Sequence, residues 1–321
     1  MALLVLTFSK KTMAFQRVQE RMLPDGTVKK VHPFHFSLEG MESNLLCRDD
    51  GDYDFTEKQI YIIALRKNVV IVSHIVMSNH AHATVLAASL EQARAYSREV
   101  KRICSLHLSQ KYGEKSALAG LSEDIRYLDD DRYVRNTLAY IPRNALDAGF
   151  RVEDYPWSSY RAMFADGKCI NGRKAVSAMT RREREDLLYT HSNLKNCKWI
   201  LNDRDNLEPA SACCYEYLES AFNGDQSFFL KTIGSVNMPE MNMKLLKNPR
   251  AMRSDSEFRL LAMENCERLF GKTLDSISVE TKLRLVQYRY NCYRTTTAQL
   301  ARCVKLSRDD VEAFIGKRKI I

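Results

Sequence analysis

The apolar positions of this chain change their period several times, and each change marks an element. "HPFHFSLEG" (residues 32–40) reads as a strand that stops at a glycine. In "DFTEKQIYIIALRKN" (54–68), Ile60, Ile63 and Ala64 share one helical face, and Asp54 or Thr56 supplies a cap. "NVVIVSHIVM" (68–77) is continuously apolar and β-branched, the pattern of a buried strand. Ser78 and Asn79 are bend residues, so "HAHATVLA" (80–87) is expected to return antiparallel to it. "SLEQARAYSREVKRICSLHLSQKYG" (89–113) predicts a long helix with Leu90, Ala93, Tyr96 and Val100 on its apolar stripe. "DDDRYVRNTLAYIPRNALDAG" (129–149) predicts another, entered through acidic residues that suit a helix N-terminus and left at Gly149.

The first part of the chain therefore runs strand, helix, strand, strand, helix, helix. That order fits an α+β fold, an antiparallel sheet with helices on one face. "YPWSSYRAMFADG" closes it, and residues 1–165 form a first domain. Residues 1–30 show little beyond the turn signature in "LPDGTVKK". Residues 180–233 look helical and polar-faced, and 237–254 carry two prolines with weak periodicity, so 166–254 reads as a helical insert and linker. Residues 255–321 form a last, all-helical unit.

Within that unit "TTTAQLARCVKLSRDDVEAFIGKRK" (295–319) gives helix, short turn, helix. Thr297 is placed to cap the first helix, Ser307 and Asp310 have capping-box spacing, and Val311, Phe314 and Ile315 form an inward face. This is the outline of a helix-turn-helix, with Arg308 and Lys317 among the outward cations. A plain helical hairpin has the same outline.

Charge sharpens the picture. The net charge is +9, and residues 166–321 hold 27 basic against 20 acidic side chains. Such a balance favours polyanions as partners, although it also serves solubility. The nine cysteines have no C-x-x-C spacing, so neither a zinc ribbon nor a disulfide framework is indicated, and a reducing, cytoplasmic setting is expected. The opening apolar run is too short to span a bilayer.

The most specific chemistry lies in "SNHAHATV". On a strand, His80 and His82 point the same way with backbones about 6–7 Å apart, within reach of one ion. On the helix of 129–149, Tyr140 and Asn144 are four residues apart and share a face. Spacing leaves two readings open. The four side chains could serve one cation and one nucleophile, or they could be two core histidines, a packing aromatic and a surface amide. His74 suits core packing, His32 and His35 have no metal spacing, and Tyr133 competes with Tyr140 as a nucleophile.

"VMSNHAHATV", then "YVRNTLAYIPRNALDAG", then "DYPWSSYRAM" together resemble the HUH single-strand transposases, in particular the REP-associated tyrosine transposase branch. The likeness covers residues 32–165. Ala145 stands where the branch usually has proline after the asparagine, and Ala81 where it has a bulkier residue. The resemblance implies a ferredoxin-like HUH core. It also implies that His80, His82 and Asn144 hold Mg²⁺ or Mn²⁺, and that Tyr140 attacks single-stranded or hairpin DNA to give a 5′-phosphotyrosine, as a monomer or homodimer. The C-terminal pair of helices resembles the helix-turn-helix of the replication initiator DnaA. Arg135, Arg143, Arg98, Lys101 and Arg102 are candidate phosphate contacts, the last three from a stripe that also includes Arg94. A non-catalytic DNA-binding regulator on the same fold is the alternative.

Overall fold

The computed structural model describes residues 15–40, 45–113, 121–164, 174–235, 255–292 and 295–316. Its sheet is organised around β2 (Val28–Gly40), the longest strand. β4 (His80–Ala87) and β5 (Leu121–Tyr127) both pair with β2, and β3 (Val70–Val76) pairs with β4, all antiparallel. β1 (Gln19–Met22) forms a hairpin with the start of β2 around the turn at Gly26, where φ is +84°. α1 (Asp50–Arg66) joins β2 to β3, α2 (Leu90–Tyr112) joins β4 to β5, and α3 (Asp131–Asp147) follows β5.

Local chemistry explains these limits. Asp49 caps α1 by accepting from the Asp52 amide, Ser89 caps α2 from Gln92, and Asp130 caps α3 from Tyr133. α2 stops at Gly113, which takes the left-handed conformation (φ 70°). β4 spans the residues expected for it. α1 begins four residues earlier than expected because the Asp49 cap, not Asp54 or Thr56, starts it.

The helices lie on both faces of the sheet, which corrects the expectation of a single helical face. Adjacent residues of β2 show this. Phe36 points to one side, where its ring meets Tyr96 of α2 at 5.4 Å. His35 points to the other, where it meets Tyr140 of α3 at 6.3 Å. Ala81, Ala83 and Val85 of β4 face the side of α1 and α2 in one core with Ile60, Ile63 and Tyr96. His80 and His82 face α3.

β5 is a second departure. "LSEDIRY" has three charges in seven residues and a mixed burial pattern, so its side chains give no strand signal. Its extended form comes from the backbone ladder with β2, register Phe34 to Tyr127 through Gly40 to Leu121.

Residues 174–235 are more than a spacer. They contain β6 (Lys174–Ala175), β7 (Ile200–Leu201), α4 (Arg181–Leu188), α5 (Pro209–Ala212), α6 (Tyr215–Ala221) and α7 (Gln226–Ser235). Tyr217, Phe222 and Phe229 share a buried cluster with Val134 and Leu138 of α3. This insert therefore packs against α3 and also against β3, where the Cys214 amide donates to the Ile71 carbonyl at 2.8 Å. The linker expected at 237–254 lies outside the described residues.

The last unit comprises α8 (Asp255–Phe270), α9 (Val279–Cys292), α10 (Thr297–Val304) and α11 (Arg308–Gly316), around Phe258, Leu285, Leu300, Val304 and Val311. The cap of α10 is Thr296, not Thr297; Thr297 donates to Glu312 instead. Ser307 accepts from the Asp310 amide at 3.1 Å, as its spacing predicts. Among the described residues no helix is long and apolar enough to cross a membrane.

Candidate metal and tyrosine site

Between the sheet and α3 four side chains meet. The rings of His80 and His82 are 4.9 Å apart, as their same-face placement on β4 requires. His82 contacts the Tyr140 ring at 5.3 Å. His80 Nε2 lies 3.1 Å from Asn144 Oδ1. The sheet supplies the histidine pair, one α-helix supplies the phenol and the amide, and all four converge.

The amide has a defined orientation. Asn144 Nδ2 donates to the carbonyls of Tyr140 (2.9 Å) and Ile141 (3.2 Å), so its oxygen faces His80. Pro142 sits inside α3 and removes one helical donor at this turn. His80 is also fixed from its other side, where Nδ1 lies 2.8 Å from Asn79 Oδ1.

His82 differs. It is fully buried, and neither ring nitrogen has a hydrogen-bond partner. Burial, then the neighbouring His80 and His35, pushes its pKa well below the ordinary value, so it is a neutral imidazole with a lone pair to offer. A buried polar group without a partner costs about 1–3 kcal/mol, so the ring is suited to a ligand rather than to stability. Two neutral imidazoles and an amide oxygen can hold a divalent ion, the amide and substrate oxygens being the donors that suit Mg²⁺ or Mn²⁺. Among the described residues there is no group of three or more His, Cys, Asp or Glu that could hold a metal. A cation here would thus depend on the amide and on substrate oxygens.

Tyr140 is 2% exposed. Burial, then the charge of Asp147, raises its pKa well above that of an ordinary phenol, with Glu39 adding to the rise and Asn144 opposing it. Glu39 pairs across the ladder with His80 and so lies on the same face. His80 and Glu39 are half-buried and Asp147 is exposed, so the site opens at this end.

His35 is the residue that sequence spacing missed. Its ring lies 5.1 Å from His82 and 6.3 Å from Tyr140, and it is 5% exposed. Burial, then Arg126, lowers its pKa to about 4 against the opposing charge of Asp124. Only the β2–β4 register, which pairs His35 with Thr84, could have revealed it.

The basic candidates are scattered. Arg143 is engaged, donating to the Ile233 carbonyl at 2.6 Å and pairing with Asp147 at 3.7 Å, so it anchors α7. Arg135 is half-buried on α3. Arg98, Lys101 and Arg102 lie on α2, across the sheet from the histidines, and Arg102 is paired with Glu99. Arg308 is exposed on α11 and bound to Glu312 at 2.6 Å, and Lys317 lies outside the described residues. Tyr133 neighbours Arg126 of β5. His74 is a core group, with Nε2 2.8 Å from Glu57 and Nδ1 2.9 Å from the Tyr61 hydroxyl.

No protein-family model matches the chain, and no curated protein matches it. Among solved structures the chain is similar to a REP-associated tyrosine transposase bound to a REP hairpin. The two are 14% identical, the match covers 40% of this chain and 77% of that chain, and the TM-score is 0.30. A likeness of that size carries neither fold nor function; both rest on the geometry above.

Proposed function

We propose that this protein cleaves and rejoins single-stranded or hairpin DNA through a covalent tyrosine intermediate, as a metal-dependent transposase-like transesterase. One observation carries the reading: His80, His82, Asn144 and Tyr140 converge from a strand and a helix, and His82 has both ring nitrogens without a partner. The strand order β5-β2-β4-β3, with crossovers through α1 and α2, is that of a split βαβ sheet, which supports a ferredoxin-like HUH core.

In this reading His80, His82 and Asn144 hold Mg²⁺ or Mn²⁺. The ion, when bound, supplies Lewis-acid polarisation of a phosphate oxygen. The chain's own residues do the rest. Glu39 and Asp147 place negative charge at the open end of the site, where a phosphate would be repelled unless a cation offset them. The carbonyl bonds of Asn144 keep its oxygen turned inward, and α3 carries the Tyr140 phenol as a positioned nucleophile. Its oxygen bonds to phosphorus, the bond to the 3′-oxygen breaks, and the phenol proton is lost as the leaving oxygen gains one. The link so formed is reversible by a second 3′-hydroxyl, so rejoining needs no nucleotide. Because burial keeps the phenol protonated at neutral pH, attack requires that proton to leave.

The full chain, incubated with Mn²⁺ and end-labelled hairpin DNA bearing single-stranded flanks, should form an adduct that survives denaturing electrophoresis. Chelator and Tyr140→Phe should each abolish it, and Tyr133→Phe should not. An adduct lost in Tyr133→Phe but kept in Tyr140→Phe would assign the nucleophile elsewhere.

A further inference from the structure

β2 brings a third imidazole to the sheet face that carries the histidine pair. His35 stands opposite Thr84 in the β2–β4 ladder, so it is the diagonal neighbour of His82, a spacing within reach of aromatic side chains. His35 Nε2 is buried with no partner, and so are both nitrogens of His82. Three orphaned nitrogens on two touching rings are unusual, because buried polar groups are nearly always satisfied. The ring centres are 5.1 Å apart at an interplanar angle of 33°. A nitrogen-to-nitrogen bond of ~3 Å plus the radii of two five-membered rings comes to roughly 5 Å. The rings already stand at that separation, and a small turn about the broad terminal torsion of each histidine would align the nitrogens.

We infer that His35 is the partner of His82: it accepts the N–H of one His82 nitrogen and leaves the other deprotonated and turned toward His80 and Asn144. His35 is then a positioning residue and not a ligand. His80 already has both nitrogens beside oxygen atoms of Asn79 and Asn144, whereas neither nitrogen of His82 has an oxygen partner. An imidazole that binds a metal needs its second N–H held in this way, which fixes the tautomer and the ring plane. The inference rests on the cation reading for its consequence, but the tautomer it assigns is a property of the protein without any ion.

The test uses the full chain labelled with ¹⁵N-histidine, with wild type, His35→Phe and His35→Gln compared. Phe keeps the ring packing and removes the acceptor; Gln restores one. In chelator, ¹H–¹⁵N correlation of the histidine side chains should show a single neutral tautomer for His82 in wild type and in His35→Gln, and a mixture in His35→Phe. Titration with Mn²⁺, followed by its electron paramagnetic resonance signal, should show affinity 10- to 100-fold weaker in His35→Phe and partly recovered in His35→Gln, consistent with the usual loss on removing such a partner. One His82 tautomer in all three proteins would overturn the inference. So would unchanged Mn²⁺ affinity in a folded His35→Phe. If wild type binds no Mn²⁺ yet the tautomer follows residue 35, the proposed function fails while the pairing of His35 with His82 stands.

Discussion

Two buried histidines on adjacent strands should respond unequally to the same substitution. His74 and His82 are both 0% exposed. His74 is satisfied at each nitrogen, by Glu57 and by the Tyr61 hydroxyl, and Tyr61 in turn lies 3.0 Å from Cys213 Sγ. His74→Leu leaves the Glu57 carboxyl, itself 3% exposed, in the core without its ring partner. Breaking a buried pair from one side costs ~3–5 kcal/mol. His82→Leu loses at most the one bond to His35, worth ~0.5–1.5 kcal/mol, because the ring's other nitrogen has no partner. It relieves the ~1–3 kcal/mol cost of the nitrogen left without a partner and loses ring contacts with His80 and Tyr140, each worth ~0.5–1.5 kcal/mol. The losses exceed the relief by ~1 kcal/mol, so the variants should differ by roughly 2–4 kcal/mol, His82→Leu being the more stable. Urea unfolding in chelator, followed by fluorescence of Trp157, which stacks on Tyr53 at 4.0 Å, measures the difference. Adding Mn²⁺ at ~100 times its dissociation constant should stabilise wild type by about 2.7 kcal/mol and leave His82→Leu unmoved. Equal losses for the two variants in chelator would refute the view that His82 is kept for a ligand.

Other outcomes follow from particular contacts. Asp52 is buried, which alone would raise its pKa, but bonds from His107, Lys111, Tyr112 and the Arg48 amide hold it well below the usual carboxylate range. Its stabilising contribution is therefore complete above pH ~4, the unfolded value, and is lost as pH falls toward the folded pKa. Unfolding free energies measured from pH 6 to pH 2 should fall less steeply in Asp52→Asn than in wild type, from a lower starting point. Ser89→Ala removes the cap of α2 and should cost ~1 kcal/mol in urea unfolding, with adduct formation unchanged. Arg143→Ala frees the Ile233 carbonyl, so hydrogen exchange should quicken in α7 while β2 and β4 stay protected. A phosphate contact by Arg143 would instead leave exchange in α7 as it was and weaken DNA binding.

Much of the sheet was legible because its strands are buried and continuous in sequence: β3 and β4 are apolar runs broken by Ser78 and Asn79, and α2 carries its cap and its terminal glycine in plain sight. β5 was not legible, since Ser122, Glu123, Asp124 and Arg126 take strand form only through pairing with β2. The second helical face was hidden for a related reason. The face of β4 toward α3 is lined by His80, His82 and Thr84, and their pattern along the strand does not say that a helix covers that face. At the candidate site, i,i+2 and i,i+4 spacings found His80, His82, Tyr140 and Asn144, because both couples are local. His35 is 45 residues or more from its neighbours in the chain, and only the ladder register brings it in. The charge stripe of α2 was legible only in part: periodicity shows that Arg98 and Arg102 share an exposed side but not which face of the sheet the helix covers.

The claim on which the rest depends is that the Tyr140 oxygen and the His80–His82–Asn144 group act on one phosphodiester. Mass spectrometry of the tryptic peptides from a Mn²⁺-dependent DNA adduct tests it most directly. The account predicts a nucleotide mass on the peptide that contains Tyr140, linked through a 5′-phosphate and absent when His82 is replaced by leucine. A nucleotide on any other residue, or an adduct at Tyr140 that forms as well in chelator and in His82→Leu, would contradict it.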